Sequence, residues 1–511
     1  MKINSNEKNH IFFWIRHYQR YQPEKTFIFS IDQNINVSYR EAYKICCKIG
    51  SFLKERKIKA NDRIVLLSNN SIEHLLTYFG VMSYGATICT INVEMNQINL
   101  NYILGRIAPK LVLYENISIL PDTNLDFETL PLGSLSKRIP DSFFEKLDKV
   151  SNDDFGLPVN ETDDTASIFF TSGTDTKPKG VLISFLNLAK NTIAISERFG
   201  IKDEDRILEF RSFNWMSAQV LSGLGSLFNG SSLFIAKKFS VSKFFNWIRT
   251  FQVTIATGNP TTINMLTSRP SSLKHDEIPH LRFLTSSSAP LLVEDWKRFE
   301  GLYGIPISQG YGASECGWIA GSNEKNRRLG SVGRPLNYQN VAISDQAGNN
   351  LPANVQGMVV IGHTETQNRY FGDDAEIKTD PLGRVVTGDI GYIDEDGFLF
   401  LTGREKDLII IGGINVSPIE IENVIMELKE IVEAAVIGIK EQIYGEEIIA
   451  FVVPVADAGL SSDEVLAHCR QKLARVKIPR SIEFVNSLPK TERGKLDRKG
   501  LKKTWSDSKN D

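Results

Sequence analysis

Ile168-Phe169-Phe170-Thr171-Ser172-Gly173-Thr174-Asp175-Thr176-Lys177-Pro178-Lys179-Gly180-Val181 is the stretch from which the rest of the chain is read. An apolar run, Ala166 to Phe170, predicts a buried strand. Small hydroxyl residues, a glycine and two lysines follow at once. An amphipathic run from Leu182 to Phe199 then predicts a helix. A strand, a small polar loop and a helix can hold phosphate. Hydroxyls and backbone N–H groups wrap the oxygens, and lysine adds positive charge. The Gly-Lys-Ser/Thr that closes a Walker A loop does not occur here. Taken alone, the stretch also reads as a polar strand-to-helix turn.

Upstream, strands and helices alternate. Residues 10–20 read as a short helix, and Thr26 to Ser30 and Asn36 to Ser38 as strands. Ser38-Tyr39-Arg40-Glu41 has the form of a capping box opening a helix that runs to Arg56. Arg63 to Leu67, Gly85 to Ile91 and Lys110 to Tyr114 read as strands, with helices over Ser71 to Met82 and Asn99 to Ile107 between them. Such alternation predicts a parallel sheet covered on both faces. Residues 120–160, with Pro121, Pro131, Pro140 and Pro158, read as a surface connection. Downstream the alternation resumes as far as Ile307. From about Gly330 short Val/Ile runs and Asp-Gly-type turns predict a β-rich subdomain, with a hairpin at Asp396-Gly397. A last block of helix, strand, strand, helix and strand follows Gly403-Arg404. The fold class expected is α/β. A large N-terminal domain of parallel and mixed sheets flanked by helices, with the β-rich subdomain, spans 1–403, and a small α+β domain spans 404–511.

The bulk properties narrow the function classes. With 511 residues the chain exceeds a single core. Its 59 basic and 61 acidic side chains leave a net charge of −2, which steers it toward neither nucleic acid nor membrane. Five cysteines without a Cys-x-x-Cys pair predict reduced thiols and a cytoplasmic location. No 18-residue apolar span and no signal-peptide layout is present.

Three further motifs follow in order: Gln309-Gly310-Tyr311-Gly312-Ala313-Ser314-Glu315, Thr387-Gly388-Asp389 with Arg404 fifteen residues on, and Pro489-Lys490-Thr491-Glu492-Arg493-Gly494-Lys495. A flat face suits a base, a hydroxyl suits phosphate, and a carboxylate suits magnesium or ribose hydroxyls. Together with the first stretch they resemble the adenylate-forming superfamily of acyl-CoA synthetases, luciferases and nonribosomal peptide adenylation domains. The resemblance covers nearly the whole chain. It implies ATP and Mg²⁺ as cofactors and CoA or a carrier protein's phosphopantetheine as acyl acceptor. It also implies an AMP/ATP site from Thr171, Ser172, Gly173, Thr174, Lys179, Gln309, Gly310, Tyr311, Gly312, Ser314, Asp389, Arg404 and Lys495. Catalytic roles fall to Lys495, Ser314 and Glu315, with Glu315 on the metal. Lys406 is the implied hinge of a mobile C-terminal lid, and Gly412 and Gly413 the implied thiol channel.

The sequence departs from the family pattern at Asp175 and Thr176, where threonine and glycine are usual. Ser212-Phe213-Asn214-Trp215 falls where amino-acid-activating members carry Ser-Phe-Asp. The implied acid pocket is Asn214, Trp215, Ser287 and Trp318. An asparagine offers no countercharge to an α-ammonium, so a small or aryl acid is expected. The reading is an AMP-forming carboxylate–CoA ligase. A stand-alone enzyme loading a carrier protein and a nucleotide-binding protein without catalysis are the alternatives.

Overall fold

The computed structural model describes residues 10–116, 120, 127–171, 177–362, 369–372, 377–490 and 495–510. Two large sheets carry the N-terminal part. One has seven strands in the order Arg369–Tyr370, Lys179–Ser184, Thr165–Thr171, Thr87–Ile91, Arg63–Leu67, Leu111–Tyr114, Glu128–Pro131. The other has nine and runs from Arg334–Pro335 through Gly317–Gly321, Ile307–Ala313, Phe283–Ser286, Ile255–Ala256, Arg206–Glu209, Ser232–Ile235 and Thr26–Ser30 to Ile35–Ser38. The inner strands of both are parallel; the edge pairs are antiparallel, except that Glu128–Pro131 runs parallel to Leu111–Tyr114. Parallel strands need apolar residues on both faces. Accordingly Ile64, Val65, Leu66 and Leu67 are all buried.

The helices Tyr39–Glu55, Ile72–Tyr84 and Phe185–Phe199 fill the main core with Phe27, Phe79, Phe199 and Trp318. The first starts at the expected capping box: Ser38 Oγ accepts from the Glu41 N–H, and the Glu41 carboxylate accepts from the Ser38 N–H at 2.8 Å. A four-stranded antiparallel sheet (Val341–Ser344, Gly357–Ile361, Val385–Ile393, Leu399–Arg404) is the expected β-rich unit. The smaller C-terminal domain follows. Its sheet joins Ile414–Val416, Ile409–Ile411, Gly445–Pro454, Ile431–Glu441 and Ser481–Phe484 around a separate core. It meets the larger part where Asn423 Oδ1 accepts from the Val293 N–H at 3.0 Å and the Arg298 guanidinium donates to the Ile431 carbonyl at 3.2 Å.

Two expectations are corrected. The run after the first motif is a strand before it is a helix. Lys179–Ser184 pairs antiparallel with Thr165–Thr171, with Phe169 opposite Val181 and Thr171 opposite Lys179, and the helix begins only at Phe185 behind its Ser184 cap. The β-branched Val181 and Ile183 suit that strand, and their alternation inside the amphipathic run hid it. This helix therefore does not follow the first motif directly. Residues 120–160 also do more than connect. Glu128–Pro131 extends the seven-stranded sheet, and the short Phe143–Leu147 helix buries Phe143 against Phe52. No described helix is long and apolar enough to cross a membrane. All five cysteines are buried and unpaired.

Candidate active site

Functional side chains gather where the parallel strands of both sheets end. Ser68 follows Arg63–Leu67, Arg211 follows Arg206–Glu209, Ser287 follows Phe283–Ser286, and Ser314 and Glu315 follow Ile307–Ala313. The carboxyl ends of strands are where open α/β sheets leave a crevice for ligands.

One cluster is built on the Ile307–Ala313 strand. Gln309 and Tyr311 are buried, whereas Gly312 is exposed and Ser314 and Glu315 are half-buried. A Cβ on Gly312 would come within 2.6 Å of the Gly317 carbonyl oxygen on the neighbouring strand Gly317–Gly321, so only glycine lets these two strands approach so closely. The Tyr311 hydroxyl donates to Asp389 Oδ2, and Arg404 Nε donates to Asp389 Oδ1 at 2.7 Å. The register explains the second contact, because Asp389 stands directly opposite Arg404 in the Val385–Ile393 and Leu399–Arg404 pair. Gly388, at φ +76°, turns the backbone just before Asp389. Burial, and then the neighbouring Asp389 carboxylate, push the Tyr311 hydroxyl well above its ordinary pKa, so it stays a donor. A carboxylate with about four lone-pair sites still has room for two ribose hydroxyls.

A second contact sits beside it. The Tyr370 hydroxyl donates to Glu315 Oε1 at 2.8 Å, and Lys179 Nζ lies 5.5 Å from the Tyr370 ring centroid. Burial and the Glu315 charge raise the Tyr370 pKa. Tyr370 thus links two of the expected residues, Lys179 and Glu315. The sequence reasoning missed it, because a lone tyrosine in Asn368-Arg369-Tyr370-Phe371 carries no local signal.

The expected acid pocket rests on a buried ion pair, also missed. Glu209 and Arg211 have side chains 0% and 2% exposed, with Arg211 Nη2 on Glu209 Oε2 at 2.7 Å. Ser222 and Thr257 donate their hydroxyls to the same carboxylate at 2.6 and 2.7 Å. Burial works against the Glu209 charge, but Arg211 and these hydroxyls outweigh it and hold the carboxyl below its ordinary pKa. Arg211 Nη1 reaches Ser287 Oγ at 3.0 Å, and Asn70 binds the Arg211 carbonyl and the Phe213 N–H at 2.8 Å each. The signal was present: two charges at i and i+2 in Ile207-Leu208-Glu209-Phe210-Arg211 share one strand face. Two charges there, among apolar neighbours, must neutralise one another.

On this frame Asn214 is half-buried, and its Nδ2 donates to the Ser68 carbonyl at 3.2 Å and to Ser212 Oγ at 3.1 Å. Trp215 is half-buried at the start of a short helix, Met216–Ala218. Trp318 is 2% exposed and belongs to the main core, with its ring edge-on to Phe199. Asn191 brackets its backbone at 2.8 and 2.9 Å.

Ser172, Gly173 and Thr174 lie outside the described residues, as do 491–494; Thr171 ends the strand Thr165–Thr171. Lys495 is exposed, as is Lys406 in the turn Glu405–Asp407. Gly412 and Gly413, at φ +56° and +85°, form a two-residue hairpin between Ile409–Ile411 and Ile414–Val416, a turn that requires positive φ at both positions.

The sequence pattern of AMP-binding enzymes matches residues 15–371, and that of their C-terminal domain matches residues 420–495. The chain belongs to the AMP-binding enzyme family. Among its relatives is an oxalate–CoA ligase of Arabidopsis thaliana, 28% identical over 486 residues, covering 92% of this chain and 94% of that one. A crotonobetaine/carnitine–CoA ligase of Citrobacter koseri is 30% identical over 461 residues, covering 87% and 89%. ATP-bound MatB of Rhodopseudomonas palustris superposes with a TM-score of 0.89 at 26% identity, covering 98% of this chain and 99% of that one.

Proposed function

We propose that this AMP-forming acid–CoA ligase activates a small or aryl carboxylic acid in two steps. In the first, a carboxylate oxygen attacks the α-phosphorus of ATP, and pyrophosphate leaves. In the second, the CoA thiol attacks the acyl carbon, a proton is lost from sulfur, and AMP leaves. The observation that carries this reading is the joining of Tyr311, Asp389 and Arg404 beside Glu315, Tyr370 and Lys179. Asp389 receives the ribose hydroxyls, with Arg404 and Tyr311 fixing its carboxylate. Lys179 and Ser314 face phosphate oxygens. Lys495 supplies a compact positive charge to the charge that builds up during displacement.

The donor set also fits Mg²⁺. Among the described residues no group of three or more His, Cys, Asp or Glu could cage a metal, and Glu315 is a single carboxylate beside the phosphate residues. Magnesium keeps most of its water and takes one or two carboxylates plus substrate phosphates. Held by Glu315, it would neutralise phosphate charge.

In this reading residues 1–403 hold nucleotide and acid, and residues 404–511 form a lid that turns about Lys406 between the two steps. The Gly412-Gly413 hairpin, with open space on the Cβ side of Gly413 among the described residues, leaves passage for the thiol arm. The acceptor is CoA rather than a carrier protein, in keeping with the CoA ligases among its relatives. The test is acid-dependent exchange of labelled pyrophosphate into ATP, followed by thioester formation with CoA. A chain that binds ATP but supports no exchange with any carboxylic acid is a binder without catalysis. One that exchanges but acylates only a pantetheinylated carrier protein takes the other acceptor.

A further inference from the structure

Several of the buried polar atoms without partners belong to Asn214 and residues bonded to its surroundings. Its Nδ2 is engaged by Ser68 and Ser212, so the amide orientation is fixed: swapping O and N would set Oδ1 against the Ser68 carbonyl. Oδ1 is then buried with no partner among the described residues. Gln219 repeats the pattern five residues on. Its Nε2 donates to the Phe213 carbonyl and to Thr90 Oγ1, which fixes that amide too, and its Oε1 is buried and unpartnered. His74 is fully buried; its Nδ1 meets Ser68 Oγ at 2.7 Å, and its Nε2 has no partner. Burial holds the His74 pKa down, to about 3, so the ring is neutral. Thr77 and Tyr78, three and four residues further along the same helix, also end in unpartnered hydroxyls.

His74, Asn214 and Gln219 are joined through shared partners. Ser68 bonds both His74 and Asn214, and Phe213 O ties Gln219 to the segment carrying Asn214. Asn70, two residues after Ser68, holds the segment before Asn214 through the Arg211 carbonyl and the Phe213 N–H. A buried polar atom left unpaired is costly, and native interiors keep few of them. Three such groups joined through Ser68 and Phe213, at the strand ends, form the pattern left when the missing partner is a ligand.

We propose that His74, Asn214 and Gln219 form a polar end wall of the acid pocket, and that the acid is a compact one bearing a neutral hydrogen-bond donor, a hydroxyl or an aryl amine, beyond its carboxylate. This rests on the ligase reading above and narrows its substrate. Two fixed carbonyl acceptors call for a donor on the ligand. An alkyl tail offers none, and a second carboxylate would face two carbonyl oxygens. An aliphatic ammonium would be buried without a countercharge, because Glu209 is already neutralised by Arg211.

The test pairs acids that differ in one group, on the intact enzyme, in acid-dependent pyrophosphate exchange: acetate with glycolate, propanoate with 3-hydroxypropanoate, benzoate with hydroxy- and aminobenzoates. In at least one pair the donor-bearing acid is expected to lead by about 5- to 150-fold in kcat/KM, the effect of leaving one buried acceptor unpaired. Asn214→Leu and Gln219→Leu are expected to shrink that ratio toward one and leave KM for ATP unchanged. The wild-type comparison decides the matter even where a variant fails to fold. Acids without a donor leading in every pair, or an unchanged ratio in folded variants, would overturn the polar wall and leave the ligase standing. Exchange with no acid at all would overturn both.

Discussion

Two of the carboxylate–guanidinium pairs in this molecule, Glu209–Arg211 and Asp389–Arg404, differ in what surrounds them. Glu209–Arg211 is sealed, with both side chains at most 2% exposed, and every carboxylate oxygen is shared with hydroxyls or backbone N–H groups. Asp389–Arg404 is open on one side: Asp389 is 7% exposed and Arg404 47%. The sealed pair is enclosed by its own partners, and its contacts run to Ser287 and, through the Arg211 carbonyl, to Asn70. The open pair leaves lone pairs and N–H groups free of crowding, at the end of the four-stranded sheet where the C-terminal domain begins. In the proposed reading, burial thus separates a charge pair that shapes the acid pocket from one that meets the nucleotide.

The largest effect expected is on the sealed pair. Arg211→Met strands a buried carboxylate, and breaking such a pair costs about 3–5 kcal/mol. The urea unfolding transition should shift accordingly, and Glu209→Leu with Arg211→Met should recover most of the loss. A shift under about 1 kcal/mol would put the pair on a par with surface ion pairs and erase the contrast.

Next comes Lys495→Ala. An exposed lysine contributes little to stability, yet adenylation should fall by about 10²–10³ if its charge serves the displacement. Thioester formation from supplied acyl-AMP should be much less affected. Equal losses in both half-reactions would remove Lys495 from the first step.

Arg404→Met sharpens the comparison directly. Its pair is half open, so stability should change by no more than about 1 kcal/mol. If the guanidinium holds Asp389 for ribose, kcat/KM for ATP should fall by roughly tenfold or more, as for a hydrogen bond to a charged group. A variant as destabilised as Arg211→Met, with ATP use intact, would reverse the roles assigned to the two pairs.

Which of these features could be read in advance follows from how local their causes are. The capping box at Ser38 and the Asp396-Gly397 hairpin are set by neighbours in sequence, and both were legible. So were the parallel strands, whose apolar runs are continuous. The Lys179–Ser184 strand was not, since its partner lies across a loop and its alternation was absorbed into a helical period. Tyr311, Asp389 and Arg404 were legible as motifs, but the Asp389–Arg404 contact depends on strand register and the Tyr311–Asp389 contact on two sheets meeting. His74 and Gln219 became visible only through the atoms they leave unpaired, a property of packing.

The smallest effect expected concerns Tyr370, which stands between the two kinds of site. It is part-buried, gives a hydrogen bond to Glu315, and lends its ring face to Lys179. Tyr370→Phe removes the hydrogen bond and keeps the ring. A hydrogen bond to a carboxylate that solvent can partly replace is worth about 1 kcal/mol, so the Mg²⁺ or ATP requirement in pyrophosphate exchange should rise about fivefold. Tyr370→Leu removes the ring as well, and with it a cation–π contact of about 0.5–1 kcal/mol at a partly exposed site. Its effect should therefore exceed that of the phenylalanine by a further two- to fivefold, chiefly in ATP, because Lys179 then loses the surface that orients it. If the phenylalanine variant matches the leucine variant, the hydroxyl alone matters and Lys179 is held otherwise. If phenylalanine is silent and leucine is not, Glu315 needs no donor from Tyr370, and the ring is what couples this tyrosine to the nucleotide.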